Sequence, residues 1–195
     1  DKLVFPKYEK RLLNKQELRQ FPSYFGLDYG YVNDPSAFIH CKIDAKNKKL
    51  YIIEEYVKTG MLNDEIAEII KRLGYSKEEI FADSAEQKSI AEMRKLGIER
   101  IKPAQKGKGS IMQGLQFLMQ FDIVIDERCF KTIEEFDNYT WKKDKNTDEY
   151  MNEPVDTYNH CIDSLRYSCS KFYKQKPKKK APLKKSINTI KAMGL

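Results

Sequence analysis

The chain is poor in the residues that build thiolate and disulfide frameworks. It has four cysteines, Cys41, Cys129, Cys161 and Cys169, and none forms a Cys-x-x-Cys pair. That argues against a zinc site and leaves free buried thiols in a reducing compartment as the expectation. No apolar run approaches the roughly 20 residues of a membrane span. Residues 1–6 lack the apolar core of a signal peptide. A soluble protein without an export signal is therefore expected. Internal repeats are absent. So is a Gly-x4-Gly-Lys-Ser/Thr phosphate loop: Lys106-Gly107-Lys108-Gly109-Ser110 has neither the leading glycine nor the Gly-Lys-Ser order.

What remains is an ordinary globular composition, long enough at 195 residues for an adequate core. The formal charge of +7 is unevenly placed. Residues 174–195 hold eight lysines and no acid, which leaves 28 basic against 29 acidic residues before them. A nearly neutral body thus carries a basic tail. Such a tail can hold nucleic acid through phosphate contacts and counterion release, or simply be solvated. The neutral body suits an enzyme to which substrate is presented by another component.

Three segments are expected along the chain. Residues 1–20 read as the end of an interdomain linker, 21–173 as the folded domain, and 174–195 as a basic, mobile tail. Strands are expected at 24–28, 36–43 and 50–57, with Asn47 in a hairpin turn. Leu62, Ile66, Ile69, Ile70 and Leu73 then recur at helical spacing until Gly74. Residues 79–83 form a further strand, and Ser84 is expected to cap the helix that follows. A strand at 98–103, a basic loop at 105–110, a helix at 111–121, a strand at 123–125 and a helix at 129–139 continue the alternation. A polar hairpin is expected at 141–151, turning at Asn146. A last helix should run from about Pro154 to Tyr173 with Asp156 as its N-cap. Three meander strands followed by alternating helix and strand predict an α/β fold: a mixed central sheet flanked by helices.

Three acids and a histidine stand out. Asp28 ends the first strand, Asp83 ends the fourth, and Asp163 lies in the last helix. Ends of adjacent central strands bring carboxylates together, and a helix across the sheet can add a third. Phosphodiester cleavage needs such oxygen donors, because magnesium and manganese prefer hard ligands and two ions about 4 Å apart can serve both ends of an in-line displacement. His160 sits three residues before Asp163 on the same helical face. Taken singly, each residue has a plainer reading. Asp28 can be a turn former, Asp83 part of a helix cap, and His160 a satisfied histidine. Asp34 in Asn33-Asp34-Pro35 is read as turn chemistry.

The ordered set resembles the nuclease domain of tailed-phage terminase large subunits of the headful-packaging type. Gly26–Phe38 (GLDYGYVNDPSAF), Ile80–Ile90 (IFADSAEQKSI), Lys106–Leu118 (KGKGSIMQGLQFL) and Tyr139–Tyr167 (YTWKKD…NEPVDTYNHCIDSLRY) carry the likeness, in order. One departure is Gln87, where many relatives have proline; that affects only the helix start. The resemblance implies an RNase H/integrase-like fold with a two-metal site for Mg2+ or Mn2+. It makes Asp28, Asp83 and Asp163 the metal-binding acids and His160 an accessory catalytic and metal residue. It further implies cleavage of concatemeric viral double-stranded DNA with little sequence preference, in the host cytoplasm. The implied partners are a terminase small subunit, the portal protein, and an ATPase domain of the same longer chain, with no membrane. Lys106 and Lys108, in the glycine-rich loop, are candidate phosphate contacts. The rival readings are a junction resolvase of the same fold, an RNase H acting on hybrids, and a catalytically silent module docking DNA or portal.

Overall fold

Alternation along three strands decides the layering. The computed structural model describes residues 2–30, 33–105 and 107–173, so Lys106 and the tail at 174–195 lie outside the described residues. The strands are β1 Glu9–Arg11, β2 Ser23–Asp28, β3 Pro35–Asp44, β4 Lys49–Thr59, β5 Ile80–Ala82, β6 Ile101–Pro103, β7 Asp122–Asp126, β8 Trp141–Lys143 and β9 Tyr150–Pro154. The helices are α1 Asn63–Arg72, α2 Gln87–Lys95, α3 Ser110–Leu118, α4 Phe130–Asn138 and α5 His160–Ser168. The main sheet runs β1-β7-β4-β3-β2-β5-β6, and β8 and β9 form a separate hairpin. The central meander β2–β3–β4 is antiparallel, and every strand flanking it is added in parallel. This is the expected mixed sheet.

Period-two placement splits the apolar residues between two faces. Ala37, Ile39, Cys41 and Ile43 of β3, with Leu50 and Ile52 of β4 and Ile123 and Ile125 of β7, form one core with Leu115, Phe136, Ile162 and Leu165 from α3, α4 and α5. Phe38, with Phe25 and Leu27, meets Ile66, Ile70, Ile90 and Met93 of α1 and α2 on the other face. Ile66, Ala67 and Ile70 form the buried stripe of α1, while Asp64 and Glu65 at its start and Lys71 and Arg72 at its end suit the helix dipole. Gly74 follows at φ +86°, the left-handed conformation that ends the helix as expected. Each fully buried Ile contributes about 1.5–3 kcal/mol relative to exposure.

Four local expectations change. The segment before Phe21, expected as linker, contributes β1 to the sheet edge and buries Val4, Phe5, Leu13 and Leu18. Its apolar residues are spaced irregularly because they fill separate places in two cores. Ser84 does not cap α2, which starts after Glu86; Asp83 Oδ1 instead accepts the Ala85 N–H at 3.0 Å, tightening the strand exit. Asp156 is not the N-cap of α5. Pro154 is committed to the hairpin opposite Trp141, and Tyr158 at φ +55° interrupts the chain, so the helix waits for Asn159. The helix also ends earlier, at Ser168, with a 3-10 turn at Ser170–Phe172. All four cysteines are free and buried. Among the described residues no helix is long and apolar enough to cross a membrane.

Candidate metal centre

The site begins with a strand pair. β2 and β5 run parallel with Leu27 opposite Ala82; the next residues are Asp28, the last of β2 and still paired with Ala37 of β3, and Asp83, just past the end of β5. The Asp83 N–H still donates to the Leu27 carbonyl at 3.1 Å, which fixes the two strand ends side by side. α5 brings the third acid by lying directly on β2. A Cβ on Gly26 would stand 1.8 Å from the Ser164 carbonyl oxygen, so only glycine lets the helix backbone rest there. Asp163 is one residue away from that contact, in the first turn of α5.

His160, the first residue of α5, places its Nδ1 3.1 Å from Asp28 Oδ2. Asp163 is held from the other side, since Arg166 donates to its Oδ1 through Nε at 3.0 Å and Nη2 at 2.7 Å. Each of the three acids thus has at least one oxygen engaged by the protein. The electrostatics record their crowding. Burial pushes the Asp28 carboxyl up to about 6; the His160 bond pulls it back only partly, and Asp163 and Asp83 push it up again. Asp163 is also raised, chiefly by burial, with Arg166 opposing and Asp83 adding. His160 is raised by its bond to Asp28. Tyr167, raised by burial, feels all three acids.

The structure therefore brings Asp28, Asp83, Asp163 and His160 to one end of the sheet. Among the described residues no three such side chains close on one point as a finished ligand set; Asp28 is turned to His160 and Asp163 to Arg166. Lys108 is exposed on the loop that leaves β6 beside the end of β5, where Ala104 N–H bonds the Ala82 carbonyl at 2.7 Å. Lys106 is outside the described residues. A cavity of about 350 Å3 opens next to His160, with Lys58, Lys131, Tyr158 and Glu135 among its walls. A larger one, about 730 Å3, lies between residues 2–9 and β7, and none of the acids lines it.

Sequence reasoning missed three contributors. Arg166 is 4% exposed, and its only signal was the i,i+3 spacing from Asp163. Glu135 of α4 is buried and accepts the Ile162 N–H at 3.0 Å, so a carboxylate from another helix satisfies the start of α5. Burial pushes Glu135 up to about 7 while the Cys161 and Ile162 N–H groups pull it down. Asp34, read as turn chemistry, lies close enough to His160 to raise its basicity slightly.

Comparison with known proteins agrees with this layout. A family model described as Terminase RNAseH like domain matches residues 28–171. The chain is 33% identical over 171 residues to the terminase large subunit of Bacillus phage SPP1, covering 86% of this chain and 40% of that protein. It is 32% identical over 152 residues to the PBSX phage terminase large subunit of Bacillus subtilis strain 168, covering 75% of this chain and 34% of that one. It therefore spans well under half the length of either relative. The crystal structure of the SPP1 large-terminase nuclease domain with bound Mn superposes with a TM-score of 0.81 at 31% identity, over 87% of this chain and 99% of that domain. Matched from its first strand-end acid through its last helix, and by relatives above 30% identity, this chain belongs to the terminase RNase H-like domain family.

Proposed function

We propose that this chain is a divalent-metal-dependent endonuclease that cuts double-stranded viral DNA, with little sequence preference, during genome packaging. The observation that carries the reading is the convergence of Asp28, Asp83 and Asp163 from two adjacent parallel strand ends and a helix laid across them. The Mn bound to the similar SPP1 nuclease domain supports it.

The residues fit a hard cation. Three carboxylates supply oxygen donors, and Asp28 and Asp163, raised first by burial and further by neighbouring carboxylates, would have their charged forms favoured by a divalent ion. Asp28, Asp83 and Asp163 would hold Mg2+ or Mn2+ in a two-metal site, with His160 accessory. Bound there, such ions supply Lewis-acid stabilisation for hydrolysis of the phosphodiester. The chain's own residues do the rest. His160 fixes the Asp28 carboxylate through Nδ1, and Arg166 fixes Asp163. Asp83 is set by its own Asx turn. Lys108, with Lys106, would contact substrate phosphates.

In this reading the nuclease domain includes the segment before Phe21, which adds β1 to the sheet, and the domain belongs to a longer chain with an ATPase domain, with 174–195 a basic tail. The terminase small subunit and the portal protein would be the packaging partners.

Supercoiled plasmid incubated with the purified chain in EDTA, Mg2+ or Mn2+ tests the proposal. Nicking and linearisation should require the metal and fall by at least about 100-fold, some 3 kcal/mol of barrier, in folded Asp28→Asn, Asp83→Asn and Asp163→Asn variants. Cleavage that survives in all three would remove the acids from the mechanism. Tight DNA binding without cleavage in any metal would favour a docking module.

A further inference from the structure

Arg166 is one of the most deeply buried charges in the molecule, 4% exposed, and it lies beside a cluster proposed to bind cations. A buried guanidinium next to a metal centre needs a reason, because its charge opposes the ion it neighbours. Its geometry supplies one. Both of its hydrogen bonds to Asp163, from Nε and Nη2, end on the same atom, Oδ1. A guanidinium facing a carboxylate usually pairs with both oxygens, fork to fork. Here Oδ2 makes no hydrogen bond with any described residue, while Oδ1 is held at 2.7 and 3.0 Å.

The surroundings of Arg166 are built to keep it there. Its guanidinium stands 5.3 Å from the centre of the Tyr167 ring, and its carbonyl accepts a hydrogen bond from the Tyr173 hydroxyl. α3 closes over it at Gly114, where an added Cβ would lie 2.9 Å from Arg166 Cδ and 2.8 Å from Tyr173 Oη. Any residue but glycine there would force the Arg166 stem or the Tyr173 ring that braces it to shift.

We propose that Arg166 is a positioning residue for Asp163: it clamps one carboxylate oxygen so that the other is presented to a divalent cation shared with Asp28 and Asp83. This rests on the metal-centre reading above. Residues that orient a metal ligand in this way typically contribute 10–100-fold in metal affinity. A counter-ion role predicts the reverse sign. If Arg166 only neutralised Asp163, removing it would free negative charge and tighten the ion.

The test is Mn2+ affinity of the DNA-free chain, read by the loss of the free-ion electron paramagnetic resonance signal. Arg166→Lys keeps the charge but loses the two-donor grip, and Arg166→Met loses both. Both should weaken Mn2+ binding by about 10–100-fold. Gly114→Ala, which shifts Arg166 or its Tyr173 brace without touching any charge, should weaken it in the same direction by less. It also carries the test should Arg166→Met fail to fold. Unchanged or tighter binding in folded Arg166→Lys and Gly114→Ala overturns the positioning role. Asp163→Asn, measured alongside, separates the two failures. If it loses Mn2+ while the Arg166 variants do not, only the Arg166 proposal falls. If wild type binds no Mn2+, the metal-centre reading falls with it.

Discussion

His40 is 5% exposed on the face of the sheet away from α5, stacked 4.4 Å from the Phe25 ring, with Nε2 2.9 Å from Ser23 Oγ. Burial pushes it down to about 4 from 6.5; Glu54, opposite it on β4, resists, and Lys42 and Lys15 add to the depression. The unfolded chain therefore takes up this proton between about pH 6.5 and 4 while the folded chain does not. Stability from this residue is full above 6.5 and is lost as pH falls toward 4, by roughly 3 kcal/mol. His40→Phe, which keeps the stack, should flatten the acid limb of urea midpoints measured from pH 7 to pH 4. An unchanged acid limb would assign the loss to other groups. His40 carried no signal in the sequence, since only the pairing of β3 with β4 reveals what it faces. Only the ordered resemblance singled out Asp28, Asp83, His160 and Asp163 as a candidate set; their places at strand ends and on a helix face were legible from local pattern. Glu135 was not: it meets Ile162 across 27 positions of chain.

Among the elements, α5 matters most, because it carries two of the four site residues and rests on β2 through backbone. Gly26→Ala would put a methyl 1.8 Å from the Ser164 carbonyl, inside any allowed contact. The expected cost is about 3 kcal/mol or more, from strain and from displacement of the helix. Thermal unfolding, with near-ultraviolet circular dichroism to follow the packing around Tyr167 and Tyr173, measures it; a shift of less than a few degrees would mean that the helix can slide. The order of strands and helices was readable from periodicity, down to Gly74 as a stop. The start of α5 was not. A proline followed by an acid is a sound helix opening in isolation, but Pro154 had already been claimed by its partner Trp141 in the hairpin. The same holds for β1, three charged residues with no strand pattern that pair with β7 because the sheet edge accepts any backbone.

Over the whole molecule, charge is segregated: a neutral body and eight lysines after Tyr173. If those lysines contact DNA phosphates, deleting residues 174–195 should weaken duplex binding and flatten the dependence of log affinity on log salt, by about 0.9 for each phosphate no longer neutralised. An unaltered slope in fluorescence anisotropy titrations would move the phosphate-binding groups to the body, with Lys108 the first candidate. The family relationship at 31% identity with a TM-score of 0.81 shows how far side chains diverge around a retained frame. The seat of α5 on Gly26 bears on how Asp28 and Asp163 keep their spacing in this chain. Their spacing is set where one main chain touches another, so volume changes in the surrounding core have little leverage on it. Substitutions can accumulate on either side of the sheet without detuning the distance between the first acid and the last.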